Sequence, residues 1–155
     1  MGSGCAMPEH WSPEAVAARS PAPEVVPPMD ALRLAERFVD GHPGTDFLVG
    51  SGDSMRPLYR DGTVIVTRRV GSSGLRSGMT VAYLGVDGRP VAHVLVRRSY
   101  DGWLTMGVGN DACDPVRVTG QNLRGVVVRA YEPARSPLAV LVDEAAPRSS
   151  VEAAP

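Results

Sequence analysis

The sequence contains no lysine, few aromatic residues and only two cysteines. All sixteen basic residues are arginine, which excludes a serine–lysine catalytic dyad. Aromatic residues make up 5% of the chain, so the core must be built mainly from valine, leucine, alanine and methionine. Cys5 and Cys113 are too few for a disulfide framework or a zinc site. Because Cys5 falls in an irregular N-terminal segment, we expect no disulfide between Cys5 and Cys113. We therefore also expect a reducing, cytoplasmic compartment.

Charge and hydropathy narrow the range of partners. The net charge of −1 argues against a general nucleic-acid binder, so we expect no nucleic-acid partner. No apolar run approaches the roughly 18–20 residues needed to span a bilayer, and residues 137–142 are the best candidate. The N-terminus lacks the basic start and apolar stretch of a secretory signal. We expect a soluble protein without a transmembrane anchor, and peripheral contact with a membrane stays open.

The 155 residues suffice for one domain with tails. Six prolines among residues 1–28 predict a flexible Pro/Ala-rich leader, and a second flexible tail is predicted over residues 132–155. The folded domain is expected over residues 29–131. It begins with apolar residues at helical spacing, which predict a helix. Asp30 is the expected N-cap of this helix and Gly41 its expected stop. We expect this helix to pack on the edge of a sheet.

The rest of the domain has the pattern of short β-strands. Asp87-Gly88 and Asp101-Gly102 are hairpin turn signals between β-branched runs. The predicted fold is mainly β, a coiled or partly closed antiparallel sheet of six or seven short strands with one N-terminal helix. The predicted strands cover residues 47–49, 63–70, 79–84, 90–97, 103–106, 116–119 and 125–131.

One stretch stands out for chemistry. Residues 50–57 read Gly-Ser-Gly-Asp-Ser-Met-Arg-Pro, and Asp61-Gly62 then lead into a β-branched run. Glycine permits backbone angles that other residues avoid, and proline fixes φ and removes a donor. Such a turn would lift the hydroxyl of Ser54 clear of the sheet, as a nucleophile requires. A Gly/Asp/Ser turn is also common without any catalytic role.

His93 lies within an otherwise apolar strand pattern, whereas the other two histidines fall in the leader and a loop. A lone strand histidine is usually structural, yet a neutral imidazole can also take the proton of Ser54. Such a base needs a third group that fixes its tautomer. Asp111 and Asp114 are the candidates, and either can equally be a turn residue.

The run Gly-Asp-Ser-Met-x-Pro, followed by Asp-Gly and a β-branched strand, resembles the nucleophile box of type I signal peptidases and LexA-like self-cleaving proteases. The strand Val-Ala-His-Val-Leu-Val over residues 91–96 is similar to the second box of the histidine-type branch. Residues 103–114 are similar to the third box, with Asp114 at its later aspartate. The sequence departs from that pattern at Val108, where an acid is usual, and at Val94, which replaces an arginine.

The resemblance covers about residues 46–130 and implies a serine endopeptidase, a hydrolase acting in proteolysis. Ser54 would be the nucleophile, His93 the general base and Asp114 the orienting acid. The oxyanion and substrate-binding residues would be Ser54, Ser51, Gly52 and Met55. The polypeptide substrate would bind as an added strand and be cleaved after small residues. No metal or organic cofactor is implied.

Two alternatives accompany this interpretation. The first is a LexA-like self-processing regulator, for which Ala15-Val16-Ala17 is a conceivable cleavage site. The second is an inactive, non-catalytic β module that binds extended peptides. Val108 favours the second alternative, and the joint presence of Ser54, His93 and Asp114 opposes it.

Overall fold

The structure, a computed structural model, describes residues 15–16 and 18–135. Besides the helical residues 15–16, the described part of the chain forms seven strands, one α-helix and one short 3-10 helix. In chain order they are β1 (Glu24–Val26), α1 (Asp30–Gly41), β2 (Thr45–Val49), β3 (Val64–Arg68), a 3-10 helix (Ser72–Gly74), β4 (Thr80–Leu84), β5 (Pro90–Ser99), β6 (Gly102–Met106) and β7 (Leu123–Pro133).

The strands form one open sheet in the order β2-β3-β7-β4-β5-β6, with β1 added parallel to the end of β7. All the other strand pairs are antiparallel. The prediction of a mainly β fold is confirmed, and the sheet is not closed into a barrel. Both predicted hairpins are present, since β4 pairs with β5 and β5 with β6. Among the described residues no helix is long and apolar enough to cross a membrane.

Strand β3 lies at the centre of the core because both of its faces are covered. Val64 and Val66 point to the cluster that includes Ala31 and Ala35 of α1. Ile65 points to the opposite face, where it packs in a second cluster with Met55 and others. Alternate residues of a strand face opposite sides, so a run of β-branched residues suits a strand buried on both.

Helix α1 differs from its prediction at both ends and in its packing. Met29 rather than Asp30 is the N-cap, and no side chain caps the helix. Asp30 is the first helical residue and pairs with Arg33 at 2.7 Å. Gly41 is the last helical residue rather than the residue after the end. Buried alanines place the helix against the face of the sheet, not its edge.

Part of the segment predicted to be a flexible leader is packed on the sheet. Besides the pairing of β1 with β7, the buried hydroxyl of Ser20 donates to the carbonyl of Gly78 at 2.9 Å and lies 2.7 Å from the hydroxyl of Thr80. The hydroxyl of Tyr59 donates to the carbonyl of Pro21 at 2.7 Å. These contacts order residues 20–26, which proline content alone did not reveal.

The predicted strand at residues 116–119 is wrong. The chain there makes a single bridge, in which Trp103 and Val118 exchange backbone hydrogen bonds of 2.8 and 2.9 Å. Just after the bridge the chain turns, and the N–H of Thr119 donates to the side-chain oxygen of Asn122 at 2.8 Å.

Close approach of β3 to β7 at Gly125 gives a stability prediction. A Cβ at this buried glycine would lie 2.7 Å from the carbonyl oxygen of Arg68, whereas a Cβ at the exposed Gly120 meets nothing within 4 Å. We expect Gly125→Ala to lower the free energy of unfolding by about 1–3 kcal/mol, because the strands must separate. Gly120→Ala should change it by less than about 0.5 kcal/mol. Urea unfolding of both variants measures the difference, and equal stabilities would contradict the packing described.

Candidate active site

Ser54 lies in the turn between β2 and β3, half-buried at one end of the sheet. Gly52 has a φ of +83°, which a residue with a side chain rarely adopts. Its N–H donates to the carboxylate of Asp61 at 2.8 Å, and the N–H of Arg56 donates to the carbonyl of Asp53 at 3.1 Å. The glycine and these bonds fix the turn, as the sequence predicted for residues 50–57.

The loop after β6 packs against the back of this turn. The N–H of Gly109 donates to the carbonyl of Ser54 at 2.9 Å. A Cβ at Gly107 would lie 2.5 Å from the same carbonyl oxygen and 3.0 Å from the Cβ of Ser54. Only glycine therefore fits at residue 107 without displacing Ser54. The nucleophile candidate is held in place by a segment about fifty residues further along the chain.

His93 joins the serine to the acid. It lies within β5 and is 8% exposed. Its Nε2 is 2.9 Å from the Oγ of Ser54, and its Nδ1 is 2.6 Å from the Oδ2 of Asp114. The structure thus brings together the three residues that the sequence singled out, in the order serine, histidine and aspartate. Both distances are within hydrogen-bond range.

The hydrogen-bond partners decide the tautomer of His93. An ionised carboxylate can only accept hydrogen bonds. Nδ1 of His93 therefore carries a proton and donates it in a hydrogen bond to Asp114. In the neutral ring Nε2 is then an acceptor, and it faces the hydroxyl of Ser54. This is the arrangement that a general base requires before it takes the proton of a serine.

Two further residues bond to Asp114, and neither was predicted from the sequence. The hydroxyl of Tyr83 donates to Oδ2 of Asp114 at 2.8 Å, and that of Thr105 donates to the same oxygen at 2.6 Å. The two hydroxyls are 3.1 Å apart. A signal was available, since both are polar residues within otherwise apolar strands. Because His93 pairs with Val81 in an antiparallel register, Tyr83 two residues later lies on the same face of the sheet.

These contacts set the charge of the acid. Burial would raise the pKa of Asp114, but the hydrogen bonds from His93, Thr105 and Tyr83 outweigh it and hold the pKa below its ordinary value. The pKa of Tyr83 is raised above its ordinary value, mainly by burial, so its hydroxyl keeps its proton. Asp114 is therefore an anion held by three donors at neutral pH.

The other predicted site residues line one groove beside Ser54. The groove has a volume of about 380 Å³, and Ser51, Gly52 and Met55 lie along it with Ser54 and His93. The N–H of Gly52 is already bonded to Asp61, so it is unavailable to a substrate. The N–H of Ser54 makes no hydrogen bond to any other described residue.

The other two positions considered for an acid, residues 108 and 111, take no part in the hydrogen bonds among Ser54, His93 and Asp114. Asp111 is exposed, so Asp114 is the aspartate that meets His93. Val108, at the position where the resemblance has an acid, packs against the core cluster around Met55. In the part of the chain that the structure describes, no group of three histidine, cysteine or acidic side chains could hold a metal ion.

Cys113, immediately before Asp114, is disulfide-bonded. The expectation of an unbridged cysteine is therefore wrong. The chain's other cysteine, Cys5, lies outside the described residues. Spacing and composition could not reveal this bond, because long-range pairing depends on the fold. The bond also removes the argument for a reducing, cytoplasmic compartment, since disulfides persist mainly in oxidising ones.

Comparison with known proteins adds no family assignment. The chain matches no protein-family model and no curated protein sequence at a significant level. A function must therefore be inferred from the geometry of Ser54, His93 and Asp114.

Asp114 should make stability depend on pH. Its pKa is lower in the folded protein than in the unfolded chain, so its ionisation stabilises the fold above about pH 4. This stabilisation is lost as pH falls through the folded pKa. We expect Asp114→Asn to lower the free energy of unfolding by about 1–3 kcal/mol at pH 7, with a gap from wild type that shrinks below about pH 4.

Urea unfolding between pH 3 and pH 8 measures this gap. The exposed Asp111 offers a matched control, since Asp111→Asn should shift stability by less than about 0.5 kcal/mol. A gap that widens on acidification, or one no larger than that of the control, would refute the depressed pKa.

Tyr83 should act as a positioning residue through Asp114. Tyr83→Phe removes one donor from the carboxylate, so we expect the pKa of Asp114 to rise. Carboxyl ¹³C NMR of labelled aspartate follows this titration, and the Nδ1 proton of His93 should change its chemical shift. Tyr131→Phe, at a buried tyrosine of β7, is the control and should leave both signals in place. An unchanged titration in Tyr83→Phe would leave Tyr83 with a packing role only.

Proposed function

We propose that the protein is a serine endopeptidase, with Ser54 as nucleophile, His93 as general base and Asp114 as orienting acid. The observation that carries the proposal is the continuous hydrogen-bond chain from Ser54 Oγ through the His93 ring to Asp114 Oδ2, with distances of 2.9 and 2.6 Å. A serine alone is a weak nucleophile, and an adjacent, oriented base is what activates it. The resemblance of the three sequence boxes to signal peptidases and LexA-like proteases supports the same reaction.

The first half of the reaction makes an acyl-enzyme. Ser54 Oγ attacks the peptide carbonyl carbon while its proton moves to Nε2 of His93, and the resulting imidazolium is stabilised by the carboxylate of Asp114. The tetrahedral intermediate collapses when the C–N bond breaks and Nε2 gives the proton to the leaving amine. An ester between Ser54 and the substrate remains.

Water completes the cycle. His93 Nε2 takes a proton from water as the water oxygen attacks the ester carbonyl. The second tetrahedral intermediate then collapses: the bond between Ser54 Oγ and the acyl carbon breaks, Nε2 returns the proton to Oγ, and the acid product leaves. In both steps the oxyanion needs a donor, and the N–H of Ser54 is suited to this because it has no partner among the described residues. Gly52 has no side chain to contribute, and its N–H is occupied by Asp61.

The groove suits an extended peptide. One wall is made by residues 48–50, at the end of β2, and the other by residues 90–93, at the start of β5. Consecutive residues line a cavity when the backbone edge of the strand faces it. In the described part of the chain β2 pairs with β3 alone, and β6 pairs with β5 only from Val94 onward. Where they line the groove, both edges therefore have backbone groups to bond a substrate strand. Further along β2 the N–H of Phe47 is already bonded to Asp46.

The groove also favours small apolar residues next to the cleaved bond. Near Ser54 its lining includes Met55, Ile65 and Ala92, and Met55 and Ile65 are buried in the core cluster. A shallow apolar surface backed by a packed core accepts alanine-sized side chains without rearrangement. This supports cleavage of a protein or leader peptide after small residues.

The alternatives receive less support. Self-processing at Ala15-Val16-Ala17 needs an extended, accessible segment. Val16 is instead 2% exposed in the core cluster, residues 15–16 are helical, and Ala17 lies outside the described residues. A peptide-binding module without catalysis would use the same groove, but would have no use for the bonds among Ser54, His93 and Asp114.

Cleavage of a diverse peptide library, followed by mass spectrometry, tests the proposal. We expect Ser54→Ala and His93→Gln each to lower kcat about a thousandfold or more, because the two residues act as a unit. For the same reason the double variant should be no slower than either single variant. Urea unfolding of each variant confirms that the fold persists.

Ser99→Ala and His42→Gln are matched controls, since neither residue belongs to the hydrogen-bond chain or lines the groove. Both should cleave like the wild type. A Ser54→Ala variant that still cleaves at the wild-type rate would overturn the proposal, as would a wild-type protein that binds peptides in the groove but cleaves none.

A further inference from the structure

A second cavity, here named the distal cavity, continues the groove away from Ser54. It has a volume of about 560 Å³ and shares Leu48 and Pro90 with the groove. From Leu48 it follows β2 backwards past Phe47 and Asp46. A peptide lying along the edge of β2 would therefore pass from the hydroxyl of Ser54 into the distal cavity without changing direction.

The two cavities differ in whether their arginines are paired with a carboxylate. In the groove, Arg60 is 3.7 Å from Glu132 and Arg89 is 3.4 Å from Asp87, so each has a carboxylate partner. The distal cavity is lined by Arg69 and Arg124, both exposed.

Neither of these two arginines makes an ion pair or side-chain hydrogen bond with another described residue. The acid in the distal cavity is Asp46, whose carboxylate accepts the N–H of Phe47 at 2.8 Å. The excess charge of the distal cavity is therefore positive, and it favours a negative group in the substrate.

The register of the sheet gives the distance of these arginines from the reaction. The N–H of Arg69 donates to the carbonyl of Gly44 at 2.9 Å, just before β2, whereas Val49 at the other end of β2 lines the groove beside Ser54. A strand rises about 3.3 Å per residue, so the five residues of β2 span about 16 Å. An extended substrate would reach Arg69 with a side chain about five residues from the cleaved bond.

We propose that the distal cavity is a substrate subsite that binds an aspartate or glutamate side chain about five residues from the cleaved bond, through Arg69 and Arg124. This proposal rests on the proposed peptidase function and specifies its substrate class: extended peptides with small residues at the cleaved bond and an acidic residue further along. Guanidinium groups suit a carboxylate because they present paired donors in a fixed plane.

A glutamate scan tests the subsite. A neutral peptide that the wild type cleaves is prepared with one glutamate at each position from three to eight residues from the bond, on both sides, and with glutamine at the same positions. We expect one position near the fifth residue, on one side only, to raise kcat/KM about threefold to tenfold over its glutamine partner. The gain should lie in KM and should fall with added NaCl, because the arginines are exposed.

The ratio of kcat/KM for the glutamate peptide to that for the glutamine peptide is then measured in arginine variants. This shows whether Arg69 and Arg124 cause the preference. In the double variant Arg69→Gln/Arg124→Gln the glutamate-to-glutamine ratio should fall to about one. In Arg69→Glu/Arg124→Glu a lysine peptide should exceed the glutamate peptide. Arg37→Gln, at an exposed arginine of α1 that lines neither cavity, is the matched control and should keep the wild-type ratio.

The outcomes separate this proposal from the peptidase function. Cleavage without any glutamate preference, or a preference that persists in Arg69→Glu/Arg124→Glu, overturns the subsite and leaves the peptidase intact. If the wild type cleaves no peptide, the peptidase proposal fails. In that case fluorescence anisotropy still tests the subsite. It measures the dissociation constants of labelled glutamate and glutamine peptides from the Ser54→Ala variant. Equal dissociation constants would then overturn it.

Discussion

The site depends on one carboxylate oxygen, Oδ2 of Asp114, which receives hydrogen bonds from His93, Tyr83 and Thr105 at 2.6, 2.8 and 2.6 Å. The donors come from β5, β4 and β6, so a single atom links three adjacent strands of the sheet. Charge-assisted hydrogen bonds are the stronger kind, and their combined effect offsets the burial of the charge. The direction in which the His93 ring points follows from this contact, and with it the access of Nε2 to Ser54.

Ser54 reaches the histidine through a different set of constraints. Its turn is fixed on one side by Gly52 and Asp61, and on the other by the close approach of Gly107 and Gly109. The loop that carries these two glycines then continues to Asp114. Nucleophile and acid are therefore positioned by the same loop.

The sequence predicted the elements that depend on local chemistry. Alternating β-branched residues identified β3, and Asp-Gly pairs identified the hairpins on both sides of β5, whose register brings Tyr83 to the face of His93. It also identified Ser54, His93 and Asp114 as candidates. It missed what depends on distant partners: the pairing of Glu24–Val26 with β7, the buried Ser20 and the disulfide at Cys113. A strand of three residues has too short a pattern to be recognised without the neighbour that it pairs with.

Taken with the groove, the Ser54–His93–Asp114 geometry favours catalysis over simple peptide binding. Asp114 stabilises the fold with or without catalysis, because it joins three strands. The groove walls at residues 48–50 and 90–93, however, do not need the contact between Nε2 of His93 and Ser54. A general base does need that contact, and it also needs Asp114, because the imidazolium formed during the reaction requires a fixed negative charge beside Nδ1. In the proposed peptidase, the buried anion would stabilise the positive charge that forms on His93 as Ser54 attacks the substrate.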